Sequence, residues 1–119
     1  MELKILDINN QTIAEVVSDK VVMKSTQDAL DIMANASYQG AQNVMMTEAQ
    51  FNPDFFDLRT RLAGDILQKY ANYGIKLAII GDFTQFESQS LKAFIVECNR
   101  GKAIFFVPDR ETAINKLAQ

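Results

Sequence analysis

Hydrophobic positions near the N-terminus alternate with polar ones, and this spacing predicts strands. Residues Glu2–Ile8 and Gln11–Val17 form two such runs, and Asn9 and Asn10 separate them. Asparagine tolerates left-handed backbone, so this pair favours a tight turn between antiparallel strands. Residues 20–23 either continue the second strand or add a short third piece. The chain is therefore expected to begin with a β-hairpin.

Beyond the hairpin, helical spacing alternates with short apolar runs. Three apolar runs, at residues 43–46, 75–81 and 103–107, are typical of strands covered on both faces. Four sets of apolar residues recur at helical spacing and predict helices. These sets are Ala29, Leu30, Ile32, Met33 and Ala36; Phe55, Leu58, Leu62, Ile66 and Tyr70; Leu91, Phe94, Ile95 and Cys98; and Ala113, Ile114 and Leu117.

Capping residues indicate where these helices begin and end. Ser25 is placed to cap the first helix, and residues 52–54 (Asn-Pro-Asp) predict the start of a second that runs unbroken to Gly74. Gly101 ends the third helix and is expected to take a left-handed conformation. Residues 108 and 109 (Pro-Asp) open the last helix.

The order of elements is β-β-α-β-α-β-α-β-α. Helices that alternate with apolar strands favour right-handed crossovers and parallel strand pairing. The sequence therefore predicts one α/β domain over residues 1–119. Its sheet should be a single, mostly parallel mixed layer of about five strands, with the N-terminal antiparallel hairpin at one edge and four helices.

Four segments carry a resemblance to a known family. They are residues 54–58 (DFFDL), 62–70 (LAGDILQKY), 76–83 (KLAIIGDF) and 97–102 (ECNRGK). In these segments the chain resembles the bacterial family labelled domain of unknown function 4180, and the likeness extends over nearly the whole chain. The resemblance implies a shared fold, but no activity, because that family is itself uncharacterised.

The element order is also similar, more distantly, to the STAS fold of anti-sigma-factor antagonists. In that fold a kinase phosphorylates a Ser or Thr in an Asp-Ser-Ser/Thr-Gly turn at a helix start. The corresponding stretch here is residues 57–60 (Asp-Leu-Arg-Thr), which keeps the acid and lacks the Ser or Thr that follows it. Thr60 is expected a turn or more inside the helix. The resemblance therefore implies a STAS-like topology without the phosphorylation switch.

Composition narrows the classes of function. Hydrophobic residues make up 48% of the chain and charged residues 23%, which is ordinary globular usage. The net charge of −3 and the absence of any run among the 12 basic residues argue against a nucleic-acid partner. No apolar run is long enough to cross a membrane and no signal peptide is visible, so a membrane partner is not expected either.

The chain contains no histidine and one cysteine. Histidine-dependent nucleophile activation and histidine-ligated zinc are therefore excluded, and no internal disulfide is possible. Cys98 lies on an apolar stripe and is expected to be a buried, structural thiol. We predict a cytoplasmic protein with no catalytic residue, no metal ligand and no cofactor, and expect it not to be an enzyme.

One candidate site lies where the parallel strands end. Ligands of open parallel sheets bind beyond the carboxyl ends of the strands, and the residues expected there are Thr47, Glu48, Asp82, Thr84 and Asp109. Converging carboxylates could hold Mg²⁺ or Ca²⁺. The alternative is that Asp109 only caps the last helix and Asp82 only solvates a loop.

A second candidate is a protein-contact surface around the start of the second helix. Phe51 and Phe56 fit the apolar stripe poorly and are expected to be partly exposed beside Asp57, Arg59 and Arg61. Aromatic residues next to arginine are common in protein interfaces. The alternative is that Phe51 packs against the helix start as a hydrophobic staple.

Two hypotheses follow. The favoured one is a non-enzymatic protein-interaction or regulatory module of STAS-like type that acts on an unknown protein partner; a homodimer is compatible with this hypothesis. The other is a small-ligand or divalent-metal-binding domain, or a weak enzyme, that uses carboxylates at the carboxyl edge of the sheet. A deep polar pocket at that edge would favour the second hypothesis, and a flat apolar patch near Phe51 would favour the first.

Overall fold

The computed structural model describes residues 1–119 as five strands, four α-helices and four short 3₁₀ turns. The strands are β1 (Glu2–Ile8), β2 (Gln11–Val17), β3 (Asn43–Thr47), β4 (Lys76–Ile80) and β5 (Ile104–Val107). The helices are α1 (Thr26–Tyr38), α2 (Leu62–Tyr73), α3 (Gln89–Arg100) and α4 (Arg110–Leu117). The predicted α/β class and element order are confirmed.

The five strands form one mixed sheet in the order β1-β2-β3-β4-β5. Strands β1 and β2 are antiparallel and all the other pairs are parallel, as predicted. Asn9 and Asn10 turn the hairpin with φ angles of 52° and 65°, the left-handed conformation that their side chains tolerate. Residues 20–23 do not extend β2; Met23 instead forms one isolated bridge with Phe51.

Each successive parallel strand adds to the same side of the previous one. Right-handed crossovers that always step in one direction carry their helices to one face of the sheet. The larger core confirms this arrangement, because buried residues of α1, α2 and α3 pack there with alternate residues of the strands, among them Val44, Leu77 and Phe106. Helix α4 covers the other face alone, where Ala113 and Leu117 form a smaller core.

Several predicted helix ends agree with the structure. The Ser25 side chain accepts a hydrogen bond from the Asp28 amide at the start of α1, and Gly74 ends α2 with a φ of 65°. Gly101 differs: its φ is −82°, so it ends α3 without entering the left-handed region. Cys98 is half-buried rather than buried, and its burial, followed by the charge of Glu97, raises the pKa of its thiol.

The prediction of one unbroken helix from residue 52 to Gly74 is wrong. Asn52 does cap a helical turn, but that turn covers only Pro53–Phe56, and a second 3₁₀ turn covers Leu58–Thr60. The Asp57 side chain accepts a hydrogen bond from the Arg59 amide, which offers the backbone a local turn in place of the helix.

Helix α2 therefore begins only at Leu62, after Arg61 adopts a left-handed φ of 66°. Thr60 lies before this helix and not inside it, which corrects the expectation for that residue. Its hydroxyl donates to backbone carbonyls of the preceding turns and accepts from the Leu62 amide at 3.2 Å. Thr60 thus stabilises the junction between the 3₁₀ turns and α2.

Strand β5 is an edge strand, and α3 protects its free side. The side-chain nitrogen of Asn99 donates to the Phe106 carbonyl at 3.1 Å, and its side-chain oxygen accepts from the backbone amide of Phe106 at 2.8 Å. The Asn99 side chain thus satisfies the two backbone groups of Phe106, with which a strand of another chain would otherwise pair.

The hydroxyl of Tyr70 is the one buried side-chain polar atom that has no hydrogen-bond partner. Tyr70 lies on the inner face of α2 and is fully buried in the larger core. A buried hydroxyl without a partner destabilises the folded state, because it has lost its hydrogen bonds to water. The same burial raises the pKa of this phenol.

We therefore predict that Tyr70→Phe stabilises the protein by about 1 kcal/mol, since it removes the unpaired hydroxyl and keeps the ring. The advantage should grow above pH 10, because the unfolded phenol ionises there and the folded one, with its raised pKa, does not. Urea unfolding at pH 7 and pH 10.5 measures both effects. Tyr73→Phe on the same helix is the control, since Tyr73 is 65% exposed and should show no change at pH 7. A Tyr70→Phe variant less stable than wild type would show that the hydroxyl has a stabilising partner.

Candidate functional site

The carboxyl ends of β3, β4 and β5 meet at one edge of the sheet, and the segments that follow them build the candidate site. The turn after β3 is held by Gln50, which is buried. Its side-chain oxygen accepts from the Thr47 amide at 3.0 Å, and its amide group donates to the carbonyls of Val16 and Ser18 at 3.1 Å. This one side chain ties the end of β3 to the end of β2 and fixes where Glu48 begins its turn.

Glu48 and Asp82 lie close together at this edge. The Gln85 side chain donates to Glu48 Oε2 at 2.6 Å and to the Asp82 carbonyl at 2.9 Å, so it joins the two turns. Partial burial raises the pKa of Glu48, and the like charge of Asp82 raises it further, while a hydrogen bond from the Asp82 backbone acts in the opposite direction.

The other predicted edge residues do not join this pair. The carboxylate of Asp82 is occupied by Thr84, whose hydroxyl and amide both donate to it and lower its pKa. Asp109 accepts from the Thr112 amide at 2.7 Å as the cap of α4, and hydrogen bonding by the Thr112 side chain, followed by that of its amide, lowers the pKa of Asp109. Thr47 is exposed and contributes through its backbone.

The expected convergence of three carboxylates is therefore wrong. No group of three or more His, Cys, Asp or Glu residues is placed to hold a metal ion. The reason is local: Asp109 is committed to its helix, as the alternative interpretation held, and Asp82 to its own turn. Only the carboxylates of Glu48 and Asp82 lie close together at this edge, and two carboxylates do not supply the six or more oxygen ligands that Ca²⁺ takes.

Gly81 lies between the two turns. A β-carbon at this position would stand 2.8 Å from Glu48 Cβ, closer than real side chains approach, and 3.2 Å from Phe83 Cζ, which is a tight contact. Only glycine lets the end of β4 pass so near the turn after β3.

An aromatic cluster fills the space beneath these turns. It contains seven of the eight phenylalanines: Phe51, Phe55, Phe56, Phe83, Phe86, Phe94 and Phe106. The prediction that Phe51 and Phe56 are partly exposed is wrong, because their exposed fractions are 2% and 8%. Phe56 stacks on Phe86 with ring centroids 5.1 Å apart, a partner far along the sequence that periodicity could not reveal.

The remaining residues of the predicted contact surface lie on the outside of this cluster. Asp57 forms an ion pair with Arg59 at 2.9 Å, and Arg61 is exposed. Phe56, Asp57 and Arg59 line one cleft of about 530 Å³, together with Ser88 and Ser90 from the start of α3, but Arg61 does not.

A second concavity lies against the other side of the cluster. It has a volume of about 550 Å³, is open to solvent, and is bordered by the turn after β4, by α3 and by the end of β5. Its apolar lining is Phe83, Ile95, Val96, Phe106, Val107 and Pro108, and its polar lining includes Asp82, Thr84 and Lys92. We call this space the α3 cavity.

Two residues of the α3 cavity were not singled out in the sequence. Val96 is 49% exposed, and Lys92 makes no ion pair. The signal for Val96 was its position beside the stripe of Leu91, Phe94, Ile95 and Cys98 rather than on it. No sequence pattern distinguished Lys92 from an ordinary solvated lysine.

Comparison with known proteins identifies a family but no characterised relative. Residues 8–117 match the family model described as domain of unknown function (DUF4180). No curated protein and no solved structure matches the chain significantly. None of the helices has the length and apolar character needed to cross a membrane.

The close approach at Gly81 generates one prediction. Gly81→Ala should destabilise the protein by about 1–3 kcal/mol, because the new methyl group overlaps Glu48 and Phe83. The control is Gly64→Ala on α2, where nothing lies within 4 Å of the added carbon. That change should stabilise the helix by about 0.5–1 kcal/mol. Chemical denaturation compares the two variants, and equal stability of Gly81→Ala and wild type would refute the constraint.

The raised pKa of Glu48 generates a second prediction. A carboxyl whose pKa is higher in the folded state destabilises that state as the pH rises from its unfolded pKa of 4.5 through the folded one. Glu48→Gln should therefore melt higher than wild type at pH 7, and the difference should shrink as the pH falls towards 4. Glu87→Gln, at an exposed position, is the control for the loss of one carboxylate. A wild type that melts above Glu48→Gln at pH 7 would contradict the assignment.

Proposed function

The chain belongs to the DUF4180 family, and we propose that it is a binding domain for a small amphiphilic anion, with the α3 cavity as its site. The observation that carries the proposal is the cavity itself, an apolar space of about 550 Å³ beyond the carboxyl ends of β4 and β5. Ligand sites in proteins commonly measure about 300–1,000 Å³ and are mostly apolar. Open parallel sheets bind their ligands at this edge.

The chemistry of the lining selects the class of ligand. Phe83, Phe106 and Val96 offer an apolar surface for a hydrocarbon or aromatic body. The carboxylate of Asp82 keeps its charge and accepts hydrogen bonds from Thr84, whereas the ammonium of Lys92 is the charged group of the lining that has no partner. An ammonium beside an apolar surface favours a molecule with one anionic end, such as an aromatic or medium-chain carboxylic acid.

The role proposed is binding rather than catalysis. Nucleophilic catalysis needs an activated nucleophile next to a base, and a chain without histidine would need another base for this purpose. The ionisable groups of the lining are the ammonium of Lys92 and the carboxylate of Asp82, and this carboxylate already accepts a hydrogen bond from Thr84. Such a domain would act by sensing or carrying its ligand.

A second candidate function is the protein-interaction or regulatory module of STAS-like type. One observation favours it: Phe56, Asp57 and Arg59 line a cleft of about 530 Å³ against the start of α3, where a partner's side chain could insert. The relation to STAS domains rests on element order alone. In this proposal the partner would be another protein or a second copy of the chain.

Thermal unfolding with matched ligands tests the first proposal. The panel contains 2-naphthoate and octanoate, their neutral counterparts 2-naphthol and octanol, and MgCl₂ and CaCl₂. A ligand at about 100 times its dissociation constant should stabilise the fold by about 2.7 kcal/mol, a shift on the order of ten degrees. We expect the carboxylates to raise the melting temperature more than the alcohols, and Lys92→Gln to remove that difference.

Variants of α3 locate the site. Val96→Glu places a charge in the cavity and should abolish the shift, while Ala93→Glu adds the same charge to an exposed position of α3 outside the lining and should preserve it. Equal loss in both variants would contradict the α3 cavity as the site. A panel without any stabilising carboxylate or alcohol would refute the ligand proposal and leave the interaction module, to be pursued through protein partners.

A further inference from the structure

Three lysines converge at the opposite, amino-terminal edge of the sheet. Lys76 is the first residue of β4, Lys102 lies in the turn before β5, and Lys116 is in the last turn of α4. They come from three separate elements, yet all three line a single concavity of about 320 Å³. We call this group the lysine cluster.

The positive charge of the lysine cluster has no internal partner. All three ion pairs of the protein are made by arginines, and none of the cluster lysines has a carboxylate oxygen within 4.0 Å. No acidic side chain lines the concavity, although the chain has 15 acidic residues against 12 basic ones. Like charges held together raise the free energy of the folded state, and a bound anion would remove that cost.

Neighbouring groups hold the cluster in place. The ammonium of Lys116 lies 5.9 Å from the centre of the Phe105 ring, which is itself buried. Asn99 also lines the concavity, and its bonds to Phe106 fix the end of α3 against β5. The backbone amide of Lys102 has no acceptor within the chain.

We propose that the lysine cluster binds an anion of the phosphate class, as free phosphate or pyrophosphate or as the phosphate group of a small metabolite. Lysine ammonium groups act as point charges for phosphate oxygens, and backbone amides add directed donors. A concavity of about 320 Å³ is near the lower limit of ligand sites, which suits a compact, highly charged group. This site lies at the other edge of the sheet from the α3 cavity, so the two proposals hold or fail independently.

Isothermal titration of the full chain with pyrophosphate at low ionic strength tests the proposal. The triple variant Lys76→Gln, Lys102→Gln, Lys116→Gln should bind at least about tenfold more weakly than wild type. The matched control replaces Lys20, Lys24 and Lys69, which lie outside the concavity, and changes the net charge equally. It should keep wild-type affinity. If pyrophosphate binding is weakened equally in both triple variants, the defined site is refuted, since the anion is then attracted by the overall positive charge of the lysines.

Further measurements separate the remaining outcomes. Lys102→Gln alone changes one exposed turn residue, so it provides a folded variant in which weaker binding is still expected. In amide NMR spectra, pyrophosphate should shift the signals of residues 101–103, and undisturbed signals there would overturn the site. Titration with poly-L-glutamate distinguishes a macromolecular partner: binding of the acidic polypeptide through the same lysines without pyrophosphate binding would refute the small-anion proposal.

Discussion

The packing of the aromatic cluster is the interaction on which the carboxyl edge of this protein depends. Phe55 and Phe56 come from the segment after β3, Phe83 and Phe86 from the turn after β4, and Phe106 from β5. Contacts between rings at 4.6–6.5 Å therefore join two segments that have little regular structure of their own to each other and to β5. Each ring buries a large apolar area, so the cluster stabilises turns whose backbone bonding alone would leave them mobile.

The same rings also shape the surface. Phe83 and Phe106 line the α3 cavity, and Phe56 lines the cleft beside Arg59. Helix α3 buries only Leu91 completely; Phe94 packs in the cluster, while Ile95 and Val96 line the cavity. Repacking of the cluster would change both concavities at once, which means that any ligand or partner at this edge is coupled to the position of the turn after β4.

Local signals predicted those parts of the fold that local physics determines. The Asn9-Asn10 turn, the Ser25 cap and the stop at Gly74 each depend on one side chain and its neighbours, and each was predicted. The break between residues 56 and 62 was missed because a helical stripe and a buried 3₁₀ segment place apolar residues at similar spacing. Two interactions favour the 3₁₀ segment over a continuous helix: the hydrogen bond that the Arg59 amide donates to the Asp57 side chain, and the packing of Phe56 on Phe86.

The carboxyl edge itself was predicted as the candidate site, since parallel pairing alone brings the strand ends together. Its composition was not, because the sequence alone does not show whether a carboxylate that follows a strand only caps the next turn or also lines the site. Asp109 caps α4 and stays outside the site, Asp82 caps its own turn and also lines the α3 cavity, and Lys92 and Val96 enter from α3. Sequence spacing predicts which residues follow a strand. It does not predict which helix packs beside the end of that strand and lines the concavity there.

The two edges of the sheet differ in chemical character, and the length of the strands between them keeps them separate. A five-residue strand such as β4 spans about 16 Å at roughly 3.3 Å per residue. At physiological ionic strength charges are screened within about 8 Å. An anion at the lysine cluster would thus have little direct electrostatic effect on Lys92 across the sheet. Coupling between the edges would have to pass through elements that border both concavities. Strands β4 and β5 begin beside the lysine cluster and end at the α3 cavity, and α3 lines the cavity and contributes Asn99 to the lysine cluster's concavity. Because Asn99 also ties β5 to the end of α3, a shift of β5 would move this helix with it.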